Sequence, residues 1–274
     1  MSNKTSGANK IDKAIILAAG MGKRISKTPE TQNTPKPLLP IHESGLTFVD
    51  WHLRALAAAG ATEIYLVGSQ ATFGKQTQAM AKIPVTWIMN DFPGDTTGSG
   101  HSTHIAFTSK HDILDGKSRV VLMDADVVYD PTLFTDLARA PGKKSKSLVC
   151  GKYRETDEEV MVFAREDGVP VVHGKGLLGT PTVKGMKCLG EATGLLLLEP
   201  EDHDHWLRAA AWCMQFSTAK TRSEHEDITQ RLMLARALDV VSFDDDERCM
   251  ECDTPDEYAV VRAEMVPRWL PALP

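Results

Sequence analysis

Short apolar runs alternate with segments of helical apolar spacing over the first 140 residues of the chain. Ala14-Ile15-Ile16-Leu17-Ala18-Ala19 is unbroken by polar residues and reads as a buried strand. Residues 47–59 place apolar side chains at helical spacing and stop at Gly60, which suits the position just past a helix end. Strands are predicted at Glu63–Val67, Val85–Met89 and Arg119–Met123, with helices over 72–81 and 101–109. Asp130-Pro131 opens the next helix as a cap followed by proline. Strand and helix alternating in this way indicate a parallel or mixed sheet covered on both faces.

From residue 147 the pattern changes to short strands (147–153, 160–164, 169–173, 192–198) separated by glycine-rich turns, which reads as an antiparallel extension. Helices follow over 201–216 and 226–238, then strands at Val240–Phe243 and Arg248–Cys252. Thr254-Pro255-Asp256-Glu257 is a capping box that starts a last helix through about Val266. The expected fold class is α/β: one Rossmann-like domain over residues 11–266, with a mixed, mostly parallel sheet flanked by helices and a small antiparallel extension. Residues 1–10 lack an apolar core and read as a disordered tail.

Composition narrows the function. A net charge of −6 in 274 residues argues against a nucleic-acid or membrane-surface binder, which would carry a broad basic field. No apolar run approaches a membrane span. The five cysteines are odd in number and irregularly spaced, which fits a reducing cytoplasm; Cys249-Met-Glu-Cys252 has no second pair to complete a zinc site.

Against this acidic background, Lys23, Arg24, Lys27 and Lys36 put four cations into fourteen residues that contain one carboxylate, Glu30. The cluster follows a buried strand through Gly20 and Gly22, whose spacing lets the chain turn with its N–H groups toward an anion. Pro35 and Pro37 bracket Lys36 and present it from a stiff segment. A P-loop would need G-x-x-x-x-G-K-[ST] and a dinucleotide site a third glycine, so neither motif is present. Asp124 and Asp126 follow the strand at 119–123, at the carboxyl end where open α/β sheets bind ligands, and two carboxylates so placed suit Mg²⁺.

The combined pattern L-A-A-G-x-G-x-R…P-K-P-L-x-P resembles the signature of nucleotidyltransferases that make nucleoside-diphosphate sugars and cytidylyl-activated alcohols. The likeness runs from Ile11 to about Ala263. It is strongest toward small bacterial cytidylyltransferases that activate phosphocholine, through Leu17–Arg24, Pro35–Pro37, Asn90-Asp91, Asp124–Asp126, Tyr153-Arg154-Glu155, Gly190-Glu191, Asp227 and Asp253-Thr254-Pro255. The resemblance implies an Mg²⁺-dependent transfer of CMP from CTP to a small phosphonate or phosphate acceptor, with release of pyrophosphate. The alternative is a sugar-1-phosphate nucleotidyltransferase.

Lys36 and Arg24 are then the catalytic cations. Leu17, Ala18, Ala19, Gly20, Gly22, Lys23, Asn90, Gly98, Ser99 and Asp124 bind the nucleotide, and Asp126 with Asp227 holds Mg²⁺. Asp227 also reads as an acidic first-turn residue suited to the helix dipole, and Gly190-Glu191 as a tight turn. Acceptor contacts are expected from Glu159, Glu191 and Glu226. Aromatic faces would hold a trimethylammonium, whereas the matching segments here, Asp157-Glu158-Glu159 and Glu224-His225-Glu226, suit an ammonium carrying N–H donors. The expected partners are CTP or another NTP and the acceptor, without nucleic acid or membrane; a homodimer is left open.

Overall fold

The computed structural model describes residues 10–20, 22–92, 97–153, 157, 159–216, 222–243 and 248–273. The expected disordered tail lies, except for Lys10, outside the described residues.

In chain order the elements are β1 (Lys13–Ala18), α1 (Phe48–Ala58), β2 (Glu63–Gly68), β3 (Val85–Met89), α2 (Ser99–Phe107), β4 (Val120–Asp124), β5 (Val127–Tyr129) and α3 (Thr132–Arg139). They continue with β6 (Ser145–Cys150), β7 (Met161–Ala164), β8 (Pro170–Gly174), β9 (Lys187–Leu198), α4 (His203–Phe216), α5 (His225–Leu234), β10 (Leu238–Phe243), β11 (Cys249–Glu251), α6 (Pro255–Val260) and α7 (Val266–Trp269).

The main sheet has the order β10-β6-β9-β4-β1-β2-β3, with the β7–β8 hairpin attached through β9. Strands β4, β1, β2 and β3 are mutually parallel, and β9 enters antiparallel between β4 and β6. Continuous apolar runs form these strands because both faces are covered. On β1, Ala14 and Ile16 pack into the layer beneath α1 and α3, while Ile15 and Leu17 enter the layer shared with α2, α4 and α5. The expected α/β architecture with an antiparallel extension is therefore the observed one.

The three largest departures from the sequence reading are these. The helix expected over 72–81 is reduced to a single 3₁₀ turn, Ala79–Ala81, where the Ala79 N–H donates to Asp50 Oδ1 at 2.7 Å. The helix expected to reach 238 ends at Leu234; Arg236 takes a left-handed conformation (φ 57°), and β10 begins at Leu238. Strand β9 starts at Lys187 instead of 192 and runs through Gly190 and Gly194, with register shifts against its neighbours. The Gly190-Glu191 segment is accordingly strand rather than tight turn.

A third apolar cluster positions the site. Tyr258, Val261, Met265, Val266 and Trp269 from the C-terminal segment pack against Ile25, Leu39, Ile41, Phe48 and Trp51. This clasps the chain leading into and out of Lys36, and it extends the packed fold past Val266. Among the described residues no helix is long and apolar enough to cross a membrane.

Candidate active site

Beyond β1 the chain turns through Ala19, Gly20 and Gly22. Gly22 has φ +57°, and a Cβ there would lie 2.9 Å from Lys36 Cβ. Glycine thus satisfies both the left-handed backbone and the close approach that presses the loop onto the Lys36 segment. This loop lines a cleft of about 390 Å³. Leu17, Ala18, Ala19, Gly20 and Gly22 form one wall, Asn90, Gly98 and Ser99 another, and Asp124, Asp126, Lys36 and Arg24 the end that carries charge. Lys23, expected here, is exposed and does not line the cleft.

The opposite wall is held by side chains of α2 and α5. Asn90 donates to Ser102 Oγ at 3.0 Å and accepts from the Phe92 N–H at 3.1 Å, so its amide shapes the loop after β3. Glu224 Oε2 accepts from the Ser99 N–H (2.6 Å) and hydroxyl (2.7 Å), placing a carboxylate at the start of α2. A Cβ on Gly98 would meet the Ser223 carbonyl oxygen at 2.4 Å, so the two segments touch through backbone. Arg222 and Glu224 line this cleft as well.

The carboxylates at the charged end come from two distant parts of the chain. Asp126 follows β4, where the Ala125 N–H is tied to the Leu17 carbonyl, and the Cys252 N–H donates to the Asp126 carbonyl at 3.0 Å. Strand β11 pairs antiparallel with β5, with Glu251 opposite Val127. Ligand oxygens of Asp126, Glu251 and Asp253 consequently lie within 4.8 Å of one another. Lys36 Nζ sits between two of them, 2.8 Å from Asp126 Oδ2 and 2.5 Å from Asp253 Oδ1, and Arg24 also contacts Asp253.

Burial alone would lower the Lys36 pKa, but Asp126 and Asp253 outweigh it and hold the ammonium well above the ordinary lysine range. Burial together with the same two carboxylates pushes Glu251 upward. An all-oxygen donor set in which one acid is driven toward its neutral form by crowded negative charge fits a hard divalent cation such as Mg²⁺.

Asp227 is not brought to this group. Its Oδ2 accepts from the Glu224 N–H at 3.0 Å, closing the cap of α5. Of the expected Asp126–Asp227 pair, Asp126 instead gathers with Asp253 and Glu251, and Asp227 lies outside that group. The physical reason is β5–β11 pairing, which places residues 251–253 beside Asp126. The signal that could have found Asp253 was its place immediately before the Thr254 capping box.

Asp124 lines this cleft and also a second, larger cavity of about 750 Å³. Its Oδ2 lies 2.9 Å from His225 Nε2. Burial raises the Asp124 carboxyl; burial opposes a charge on His225, but Asp124 and Glu226 overcome it and raise the imidazole to about 10. The pair keeps its shared proton at neutral pH. Glu159, Glu191 and Glu226, the three expected acceptor residues, all line the larger cavity, together with His173, Lys152 and Lys175. Glu158 and Arg154-Glu155 lie outside the described residues. His173 and Arg222 were not anticipated from sequence, because an isolated histidine and a lone arginine carry no pattern; His225 entered only within the Glu224-His225-Glu226 segment.

The family model for the MobA-like NTP transferase domain matches residues 14–183. Among curated proteins, N-acetylmuramate alpha-1-phosphate uridylyltransferase of Neisseria meningitidis is 38% identical over 96 residues, 35% of this chain and 33% of that protein. CMP-5'-(3-aminopropyl)phosphonate synthase of Streptomyces rubellomurinus is 30% identical over 160 residues, 57% of this chain and 23% of that protein. The matched stretch thus spans a third or less of these relatives.

Two solved structures share the fold. The inositol-1-phosphate CTP transferase of T. maritima has a TM-score of 0.67 at 16% identity, covering 95% of this chain and 97% of that one. The CTP:phosphocholine cytidylyltransferase of Streptococcus pneumoniae has a TM-score of 0.68 at 17% identity, covering 92% of this chain and 98% of that one.

Proposed function

The chain belongs to the MobA-like NTP transferase domain family, and from that premise we propose that it is a nucleotidyltransferase that transfers CMP from CTP to a small amino-bearing phosphonate or phosphate. The carrying observation is the meeting of two clefts at Asp124: one lined by the glycine loop and cations, the other by carboxylates and histidines. The first suits a triphosphate and the second a short zwitterion. The relative named as a CMP-5'-(3-aminopropyl)phosphonate synthase supports both the nucleotide and the acceptor class.

In this reading an acceptor oxygen attacks the α-phosphorus of CTP in line. The bond from that phosphorus to the bridging oxygen of the β-phosphate breaks, and pyrophosphate leaves. No covalent enzyme intermediate is required, so positioning and charge neutralisation supply the catalysis. Gly20 and Gly22 give the loop its close approach to the triphosphate. Arg24 and Arg222 put positive charge along the cleft, and Lys36, fixed by Pro35 and Pro37, meets the charge developing at the α-phosphoryl. Asp126, Asp253 and Glu251 would hold Mg²⁺. When bound, that ion neutralises triphosphate charge.

A sugar-1-phosphate acceptor used with UTP is the second reading, favoured by the 38% identity to the uridylyltransferase over 96 residues. Four NTPs assayed with Mg²⁺ against 2-aminoethylphosphonate, 3-aminopropylphosphonate, phosphocholine and sugar-1-phosphates, by pyrophosphate release, separate the two. CTP with an aminoalkylphosphonate is expected to give the highest kcat/KM. Turnover confined to UTP and a sugar-1-phosphate would replace the first reading with the second.

A further inference from the structure

Three polar atoms of the larger cavity's residues are buried without a hydrogen-bond partner: His173 Nε2, Glu226 Oε2 and His225 Nδ1. Buried polar atoms are otherwise almost always paired, so an orphan beside a cavity points to a ligand. For two of the three, the chemical polarity follows from geometry. His173 Nδ1 lies 3.3 Å from the Glu226 carbonyl oxygen. A carbonyl only accepts, so Nδ1 carries the hydrogen. Burial lowers the His173 pKa to about 4, so the ring is neutral and Nε2 presents a lone pair. Glu226 is ionised, its carboxyl held below the ordinary glutamate value: burial opposes this, but the charged His225 and a backbone hydrogen bond outweigh it, with Lys175 adding to their effect. Its Oε2 is therefore an acceptor too.

Both groups are held rigidly. The His173 N–H donates to Gln230 Oε1 at 2.6 Å, and Gln230 Nε2 donates to the Val171 carbonyl at 2.8 Å, which straps β8 to α5. Glu226 Oε1 lies 3.8 Å from His225 Nε2, itself 2.9 Å from Asp124 at the junction of the clefts. The Glu226 carboxylate is thus linked through His225 to Asp124, where the two clefts meet. A metal is the other usual occupant of such a site. Among the described residues, however, the one group of three ligand atoms within 4.8 Å is the Asp126 cluster.

We propose that Glu226 Oε2 and His173 Nε2 form the subsite that selects the acceptor's head group, a primary ammonium whose N–H donors satisfy both atoms and which is joined to the phosphoryl group by a short spacer. This rests on the aminoalkyl reading above and names the atoms that impose it. A trimethylammonium would leave both acceptors unpaired. A neutral alkyl chain would leave Glu226 Oε2 without a hydrogen-bond donor. A site built to hydrogen-bond a substrate N–H rejects analogues that lack it.

The test uses wild-type enzyme with CTP and 2-aminoethylphosphonate bearing zero, one, two or three N-methyl groups, with ethylphosphonate as the neutral comparison. Stepwise loss of kcat/KM is expected, by about tenfold or more from primary amine to trimethylated head. Glu226→Gln and His173→Phe, each checked for an unchanged circular dichroism spectrum, are expected to lower the ratio of kcat/KM for aminoethylphosphonate over ethylphosphonate by about tenfold. A flat methylation series, or variants that slow both acceptors equally, would overturn the subsite and leave the CMP-transfer reading standing. Absence of both binding and turnover for every phosphonate would overturn the two together.

Discussion

Lys36 is a buried cation whose ammonium lies between two carboxylates that the fold brings from distant parts of the chain. Its charge is present before substrate arrives, the condition under which a cation stabilises developing negative charge without reorganisation. Lys36→Ala is expected to lower kcat by about 100-fold or more in steady-state assays; an unchanged kcat with only KM raised would remove it from the chemistry. Asp253 and Asp227 carry the same functional group in different roles. Asp253→Asn is expected to abolish most activity at limiting Mg²⁺, with partial recovery as the ion is raised. Asp227→Asn is expected to keep turnover and lose about 1 kcal/mol of stability from the α5 cap, measured by denaturant titration. Equal loss of activity in both variants would contradict the assignment.

The segment from β11 into α6 converts sequence-distant carboxylates into one cluster. Thr254 caps α6 and Glu257 closes the box, its carboxylate accepting from the N–H groups of Asp253 (2.8 Å) and Thr254 (2.9 Å). Thr254→Ala is expected to cost about 1 kcal/mol and to raise the Mg²⁺ concentration needed for half-maximal rate, because the backbone beneath Asp253 loosens. An Mg²⁺ titration identical to wild type would show that the cap does not hold the site. This capping box, β1, α1 and the lysine between prolines were legible in the sequence because each is local: a periodicity, a cap, a rigid dipeptide. The pairing of β11 with β5 was not, since antiparallel contact between residues 127–129 and 249–251 leaves no local trace. Strand β9 was cut short for a related reason: Gly190 and Gly194 look like turn residues in isolation, yet irregular pairing with β6 and β7 carries the strand through them. The acceptor side was legible in part. The three glutamates expected at the acceptor line one cavity, while His173, which joins them there and is tied to Gln230, left no pattern in the sequence.

The molecule buries charge of both signs, and its stability should follow pH accordingly. His52, neutral against the Ala125 carbonyl, is lowered by burial to about 4, so the unfolded chain binds more protons between about 4 and 6.5 and stability falls as pH drops through that window. Glu199 is held below its ordinary value: burial opposes this, but Arg119 and Lys146 prevail, and their contribution is lost in stronger acid, below about 4.5. The Asp124–His225 pair has the opposite sign: its proton stabilises the fold below 6.5, and that contribution is lost as pH rises toward about 10. Thermal melting without ligands is expected to be most stable near neutral or slightly acid pH, and His225→Asn is expected to flatten the alkaline limb. An alkaline slope unchanged by that variant would contradict the charged pair. At the level of the reaction, the decisive experiment supplies CTP, Mg²⁺ and aminoethylphosphonate labelled with ¹⁸O on phosphorus, and reads the products by mass spectrometry and ³¹P NMR. One CMP-phosphonate anhydride is expected per pyrophosphate, with label in the new bridge and none in pyrophosphate. Pyrophosphate formed without that anhydride, or nucleotide transfer only from UTP to a sugar phosphate, would contradict the account.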